Sequence, residues 1–256
     1  MEEQKFLEKE MGHLEKQLEV TKDEPKLGFD KAKLILPGAI LIAALLISGT
    51  LVYTRAGSSK NVAGANIGGQ QTLQPGAKVN VDVGHLPAKG NPNAKVKVVE
   101  FGDFRCPFCD RFFKDTEPQL LKEYIDTGKI AFYFRQYQFL GVASVVAGNA
   151  AECANEQGRF WTFHDYLYQN QPSESDTSMY TVDNMTKVAG QLGLDSSQFK
   201  SCLASQKYGQ KVQDDLVAGQ QSGVNGTPTT FVNGKSLVGA QPYATFKALI
   251  DEELKK

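Results

Sequence analysis

The stretch Val98-Val-Glu-Phe-Gly-Asp-Phe-Arg-Cys-Pro-Phe-Cys109 constrains this chain more than any other. An apolar run suited to a buried strand passes through a short turn into two cysteines spaced Cys-x-x-Cys. Pro107 falls where a first helical position tolerates a missing N–H. Two thiols so placed can close a small disulfide ring and reopen it, and a helix N-terminus favours the thiolate of the first, Cys106. The pattern points to thiol–disulfide chemistry. An inert disulfide or half of a zinc site are the alternatives. Zinc needs two further ligands, and the sequence offers no second Cys-x-x-Cys and no close His pair, so we expect neither metal nor cofactor.

Upstream, Leu34 to Thr54 carries no charge. About 20 apolar residues cross a hydrocarbon layer of roughly 30 Å, so a transmembrane helix is expected over 34–53, Leu34 to Tyr53. Lys22, Lys26, Lys31 and Lys33 precede it closely, against Arg55 and Lys60 after it. That excess favours a cytoplasmic N-terminus and an extracytoplasmic remainder in a cell membrane. The small triplet Ala63-Gly-Ala65 lies too far beyond the apolar stretch for signal cleavage, which favours an uncleaved signal anchor.

Residues 1–33 are charged, with Leu7, Met11, Leu14 and Leu18 at helical spacing: a short amphipathic cytoplasmic segment, solvated or self-associating. Residues 54–77, rich in Gly, Ser, Asn and Gln, form a flexible linker. Residues 78–256 are enough for one domain with a real core. A net charge of −1 gives no basic footprint for nucleic acid.

Within that domain Val96–Phe101 is a central strand. A helix follows the cysteines as far as Tyr124, kinked or broken by Pro118, and Lys129–Phe139 is a second strand. The pattern then turns helical from Val142 to about Gly223, with Asp195 as an N-cap. Thr229–Val232 and Lys235–Val238 flank the hairpin signal Asn233-Gly234, and Tyr243–Leu254 closes as a helix. This order predicts an α/β, thioredoxin-like fold with an inserted all-helical subdomain of residues 142–223, preceded by the one transmembrane helix.

Three motifs carry a family resemblance: Gly90 through Cys109, Gln157-Gly-Arg-Phe-Trp-Thr-Phe-His164, and Val224-Asn-Gly-Thr-Pro-Thr-Thr-Phe-Val-Asn-Gly234. In this order, over most of Val79 to Leu254, the chain resembles the DsbA-like thiol:disulfide oxidoreductases, including membrane-anchored members of the BdbD type. The resemblance implies that Cys106 forms the mixed disulfide with substrate and that Cys109, one helical turn on, resolves it. A depression of Cys106 by about three pKa units would stabilise its thiolate by about 4 kcal/mol and make the oxidised pair a ready donor. Some members carry His between the cysteines. Here the dipeptide is Pro107-Phe108, so stabilisation must rest on backbone N–H groups and the helix terminus.

The resemblance also makes the Thr227-Pro228 bond cis, opposite the cysteines, with backbone at Thr227 free to pair with extended substrate. It makes Glu100 a buried acid that relays protons to Cys109; a solvated edge carboxylate is the other reading. Asp103, closer to the thiols, suits a turn or cap. Cys153 and Cys202, about 50 residues apart, suit a structural disulfide outside the cytoplasm, against two buried free thiols. Some relatives of this branch have such a bridge. His164 suits packing better than base catalysis, and Phe160, Trp161 and Phe163 suit the core.

The leading expectation is an oxidant that introduces disulfides into reduced or unfolded exported proteins and is reoxidised by a membrane partner of the DsbB or VKOR type. An isomerase or reductase using the same site is the second, and a membrane-tethered chaperone without redox turnover the third.

Overall fold

A computed structural model describes residues 78–256. The segment 1–33, the span 34–53 and the linker 54–77 lie outside the described residues. Among those described, no helix is long and apolar enough to cross a membrane.

The elements run β1 (Lys89–Gly90), β2 (Val96–Gly102), α1 (Pro107–Asp115), α2 (Glu117–Leu120, continued by a π-helical turn Leu121–Ile125) and β3 (Ile130–Gln136). Five helices follow: α3 (Val142–Glu156), α4 (Phe160–Gln169), α5 (Val182–Gln191), α6 (Ser196–Ala204) and α7 (Gly209–Gln221). The hairpin β4 (Thr229–Val232) and β5 (Lys235–Val238) and helix α8 (Tyr243–Leu254) close the chain. The sheet order is β1-β3-β2-β4-β5, with β2 and β3 parallel and the other pairs antiparallel. This is the thioredoxin-like arrangement, with α3 to α7 inserted between β3 and β4.

The unbroken apolar run of β2 has its cause in burial on both faces. Val96 and Val98 share one face with Ile130 and Phe132, covered by Phe112 of α1, Leu120 of α2 and Phe246 and Ile250 of α8. Val99 and Phe101 share the other with Tyr133 and Phe231, covered by Val79, Val81 and Val83 and by Leu216 of α7. Gly219 of α7 lets that helix lie close, since a Cβ there would stand 2.7 Å from the Tyr137 ring. The chain enters at the far end of the sheet: Val79 N–H donates to Gly234 O, and Lys78 bridges Lys235.

Three elements differ from the sequence expectation; one is the two-residue edge strand β1 on β3, which has no counterpart in the sequence reading. The helix after the cysteines breaks at Thr116, upstream of Pro118. Proline cannot donate to the carbonyl four residues back, so the chain ends one helix and starts another with Pro118 in its first turn, where no donor is required. Strand β3 stops at Gln136 instead of reaching Phe139, because the Asp103 carboxylate takes the N–H groups of Phe139 and Leu140 out of the ladder. The five inserted helices lie within the stretch from Val142 to about Gly223 read as helical, with Thr181 and the expected Asp195 capping α5 and α6 through their side chains. Trp161, expected in the core, is only half-buried; its indole N–H donates to Pro87 O at 3.0 Å.

Candidate active site

Strand β2 ends at Gly102, and the turn 103–105 carries the chain to Cys106, the N-cap of α1. Asp103 builds that turn. Its Oδ1 accepts from Arg105 N–H at 2.9 Å and from the Ser144 hydroxyl at 2.8 Å, while its Oδ2 holds the loop after β3. It is a buried scaffold carboxylate, doing more than the turn or cap its position alone suggests.

The helical insertion grips the same turn. Gln171 Nε2, from the loop after α4, donates to Phe104 O at 2.8 Å and to Cys106 O at 3.3 Å. The Tyr180 hydroxyl donates to Phe104 O, and the Arg105 guanidinium reaches Glu174 O at 2.6 Å and Leu140 O. None of this was visible in the sequence, because each contact joins segments remote along the chain.

Cys106 and Cys109 are free thiols here; the first is 5% exposed and the second fully buried. A hydrogen bond from Cys109 lowers Cys106 from an ordinary 9.0 to about 6, outweighing burial, with smaller help from Thr227 and from the N–H groups of Cys109 and Phe108. Burial pushes Cys109 the other way, well above its ordinary value; its bond to Cys106 and the nearby Glu100 add to the effect. One sulfur is held as an anion and its neighbour as a thiol. The Phe108 side chain between them is 52% exposed and stacks with Arg111, so it adds surface and no hydrogen bond of its own.

The Thr227-Pro228 bond is cis. Thr227 is buried, and its carbonyl accepts from Cys106 Sγ at 3.4 Å. Glu100 lies on β2 between Phe134 and Thr230 in the register, 1% exposed. Burial raises its carboxyl well above the ordinary 4.5, and the charges of Glu117 and Cys106 raise it further. Glu117 and Lys89 were not singled out from the sequence. They meet at 2.8 Å beside this face of the sheet.

His164 is fully buried among aromatic rings, 4.9 Å from Phe134 and 5.0 Å from Trp161, with Nδ1 on Asp165 at 2.8 Å. Cys153 of α3 and Cys202 of α6 form a disulfide, Cα–Cα 5.9 Å, inside the helical core beside Phe163 and Phe199.

Fold and site together define a thioredoxin-fold protein with a polarised dithiol at a helix N-terminus. Comparison with known proteins extends this. A family model described as Thioredoxin matches residues 83–252. The chain is 33% identical over 229 residues to a protein named probable disulfide bond formation protein D from Bacillus cereus, covering 88% of this chain and 98% of that one. It is 31% identical over 172 residues to disulfide bond formation protein D of Bacillus subtilis, covering 66% and 77%. The crystal structure of oxidised BdbD from Bacillus subtilis superposes with a TM-score of 0.67 at 29% identity, over 72% of this chain and 100% of that one. The chain belongs to the DsbA-like thiol:disulfide oxidoreductases of the thioredoxin superfamily, in the BdbD-like branch.

Proposed function

We propose that Cys106 and Cys109, with Pro107 and Phe108 between them, are the redox pair, and that the oxidised protein passes its disulfide to reduced or unfolded exported proteins. The observation that carries this reading is the polarity of the pair: a thiolate at about 6 beside a thiol that resists ionisation favours the reduced state. A protein whose reduced form is stabilised is a strong oxidant.

Exposed Phe108 and Phe139 offer apolar surface of the kind unfolded chain seeks. Thr227 O, 3.4 Å from Cys106 Sγ and next to the cis Pro228, is the backbone acceptor that an incoming extended segment would take. Glu100 supplies the proton that Cys109 needs as it leaves the disulfide. Leu34–Tyr53 anchors the protein in the cell membrane with its N-terminus in the cytoplasm. Residues 54–77 tether the extracytoplasmic domain 78–256, and a membrane partner of the DsbB or VKOR type reoxidises the pair.

The test is direct. The purified oxidised protein should oxidise a reduced, unfolded Cys-containing protein stoichiometrically, and Cys106→Ser should abolish this; full activity in that variant refutes the assignment. The reduction potential separates donor from isomerase or reductase: near about −120 mV marks an oxidant and near about −270 mV a reductase.

A further inference from the structure

The two peptide carbonyls that flank Cys106 are served from outside the thioredoxin-like core. Phe104 O accepts from Gln171 Nε2 at 2.8 Å and from the Tyr180 hydroxyl at 3.3 Å. Cys106 O, already bonded to the Asp110 N–H at 3.1 Å, accepts from the same Gln171 amide at 3.3 Å. One side-chain NH2 group, with two N–H bonds to give, thus spans the residue that carries the reactive sulfur. Arg105 returns the contact, its guanidinium reaching Glu174 O at 2.6 Å in the loop that Gln171 begins.

The surroundings of Gln171 hold it there. α4 ends at Gln169, and the Gln171 N–H donates back to Tyr168 O at 3.4 Å. Pro172 follows, which favours an extended backbone at Gln171. The Tyr168 ring packs on Phe104 of the turn and Phe113 of α1, with centroids at 5.3 and 5.4 Å. The end of α4 is therefore registered against both segments that carry the cysteines.

We infer that Gln171 is a positioning residue for the redox pair: its amide holds the turn and offsets the negative ends of the carbonyls flanking Cys106, so that the helical insertion sets how readily the disulfide is given up. The inference rests on the redox role proposed for Cys106 and Cys109 and deepens it. Its physical reason is a difference between two oxidation states. In the disulfide both sulfurs are neutral, and carbonyl dipoles act on them weakly. In the reduced pair Cys106 carries a full negative charge, and unopposed carbonyl oxygens beside it cost energy. A donor on those oxygens is worth more to the reduced state, which makes the pair the stronger oxidant. Gln171 acts through the backbone. The charged and titratable groups packed around the turn are Glu100 on β2, Asp103 and Arg105 in the turn itself, Cys109 on α1, and Tyr168 and Tyr180 of the insertion. A neutral substitution at Gln171 leaves all of them in place.

The experiment takes two readings on each full-length variant: the ultraviolet absorbance of the Cys106 thiolate against pH, and the equilibrium of the pair with glutathione. In that equilibrium two glutathione thiols become one glutathione disulfide. Their two electrons break the Cys106–Cys109 bond, leaving a thiolate at Cys106 and a thiol at Cys109, with the second proton released to water. Gln171→Met keeps the length and removes the donor. The Cys106 pKa should rise by about half to one unit, and the equilibrium at about pH 8 should shift toward the protein disulfide about three- to tenfold. Gln171→Glu, isosteric and anionic, should move both readings further in the same direction. Wild-type readings in Gln171→Met overturn the inference and leave the redox pair standing. If Gln171→Met does not fold, Gln171→Glu carries the test alone, and wild-type readings there overturn it equally. Failure of the wild-type pair to exchange with glutathione sinks the reading of the cysteines and this inference with it.

Discussion

The molecule holds two pairs of cysteines in surroundings that give the same element opposite roles. Cys153 and Cys202 come from the last turns of two inserted helices and meet in an apolar interior, bonded to each other. Cys106 and Cys109 belong to one turn of one helix, at its N-terminus, with a carbonyl, several N–H groups and a buried acid in reach. The first pair closes a long loop and rigidifies a helical layer. The second is poised between two oxidation states. Burial is common to both, so it does not decide reactivity; the stabilisation of one sulfur as an anion does.

The sharpest way to break this contrast is to exchange serine at each pair in turn. Cys106→Ser should reduce substrate oxidation to background, whereas Cys153→Ser with Cys202→Ser should keep it, measured on the same peptide at a temperature where both variants are folded. The ionisation of Cys106 comes next. Lowered from an ordinary 9.0 to about 6, its thiolate favours the folded reduced state by up to about 4 kcal/mol above pH 9, and the advantage is lost as pH falls through about 6. Denaturant titrations of reduced and oxidised protein from pH 5 to pH 9 should show the gap between them widening with pH; a constant gap contradicts the assignment.

Removing the Cys153–Cys202 bridge should cost about 2–4 kcal/mol of stability, from the loop of 49 residues it closes, read as a fall in the unfolding midpoint. The smallest effect belongs to Glu100. Its folded-state carboxyl titrates well above the ordinary 4.5, so its favourable contribution exists at low pH and is lost as pH rises through the folded value. Glu100→Gln should therefore stabilise the fold at alkaline pH and leave it unchanged near pH 4. Destabilisation at alkaline pH would show that the carboxylate is satisfied where it lies.

What was legible in the sequence was what is local. The apolar run of β2, the turn into Cys106, the helical periods of α3 to α7 and the Asn233-Gly234 hairpin are written in neighbouring residues, and the structure follows them. The ends of elements were less legible. β3 stops early because a carboxylate from another segment captures its backbone, and the break at Thr116 reflects how a chain accommodates Pro118 beyond the fact that it must. The shell around the cysteines was least legible of all. Gln171, Glu117 and Lys89 are ordinary polar residues in sequence, brought to the site by the order of the sheet and the insertion of the helices. One signal for Lys89 existed: it sits just before the Gly90-Asn-Pro-Asn turn, and so at the edge of the sheet that holds the cysteines.

The contact between Val79 and the turn at Gly234 decides which end of this domain points where. The hairpin lies beside Lys97 at the beginning of β2, and roughly 17 Å of strand separate it from Gly102, where the chain rises toward the sulfurs. A pull on the N-terminus is borne by β4 and β5 at the rear of the sheet, leaving the mouth around Cys106 unloaded. Lys78 and Cys106 therefore stand at opposite ends of the central strand, as the shank and point of a hook do.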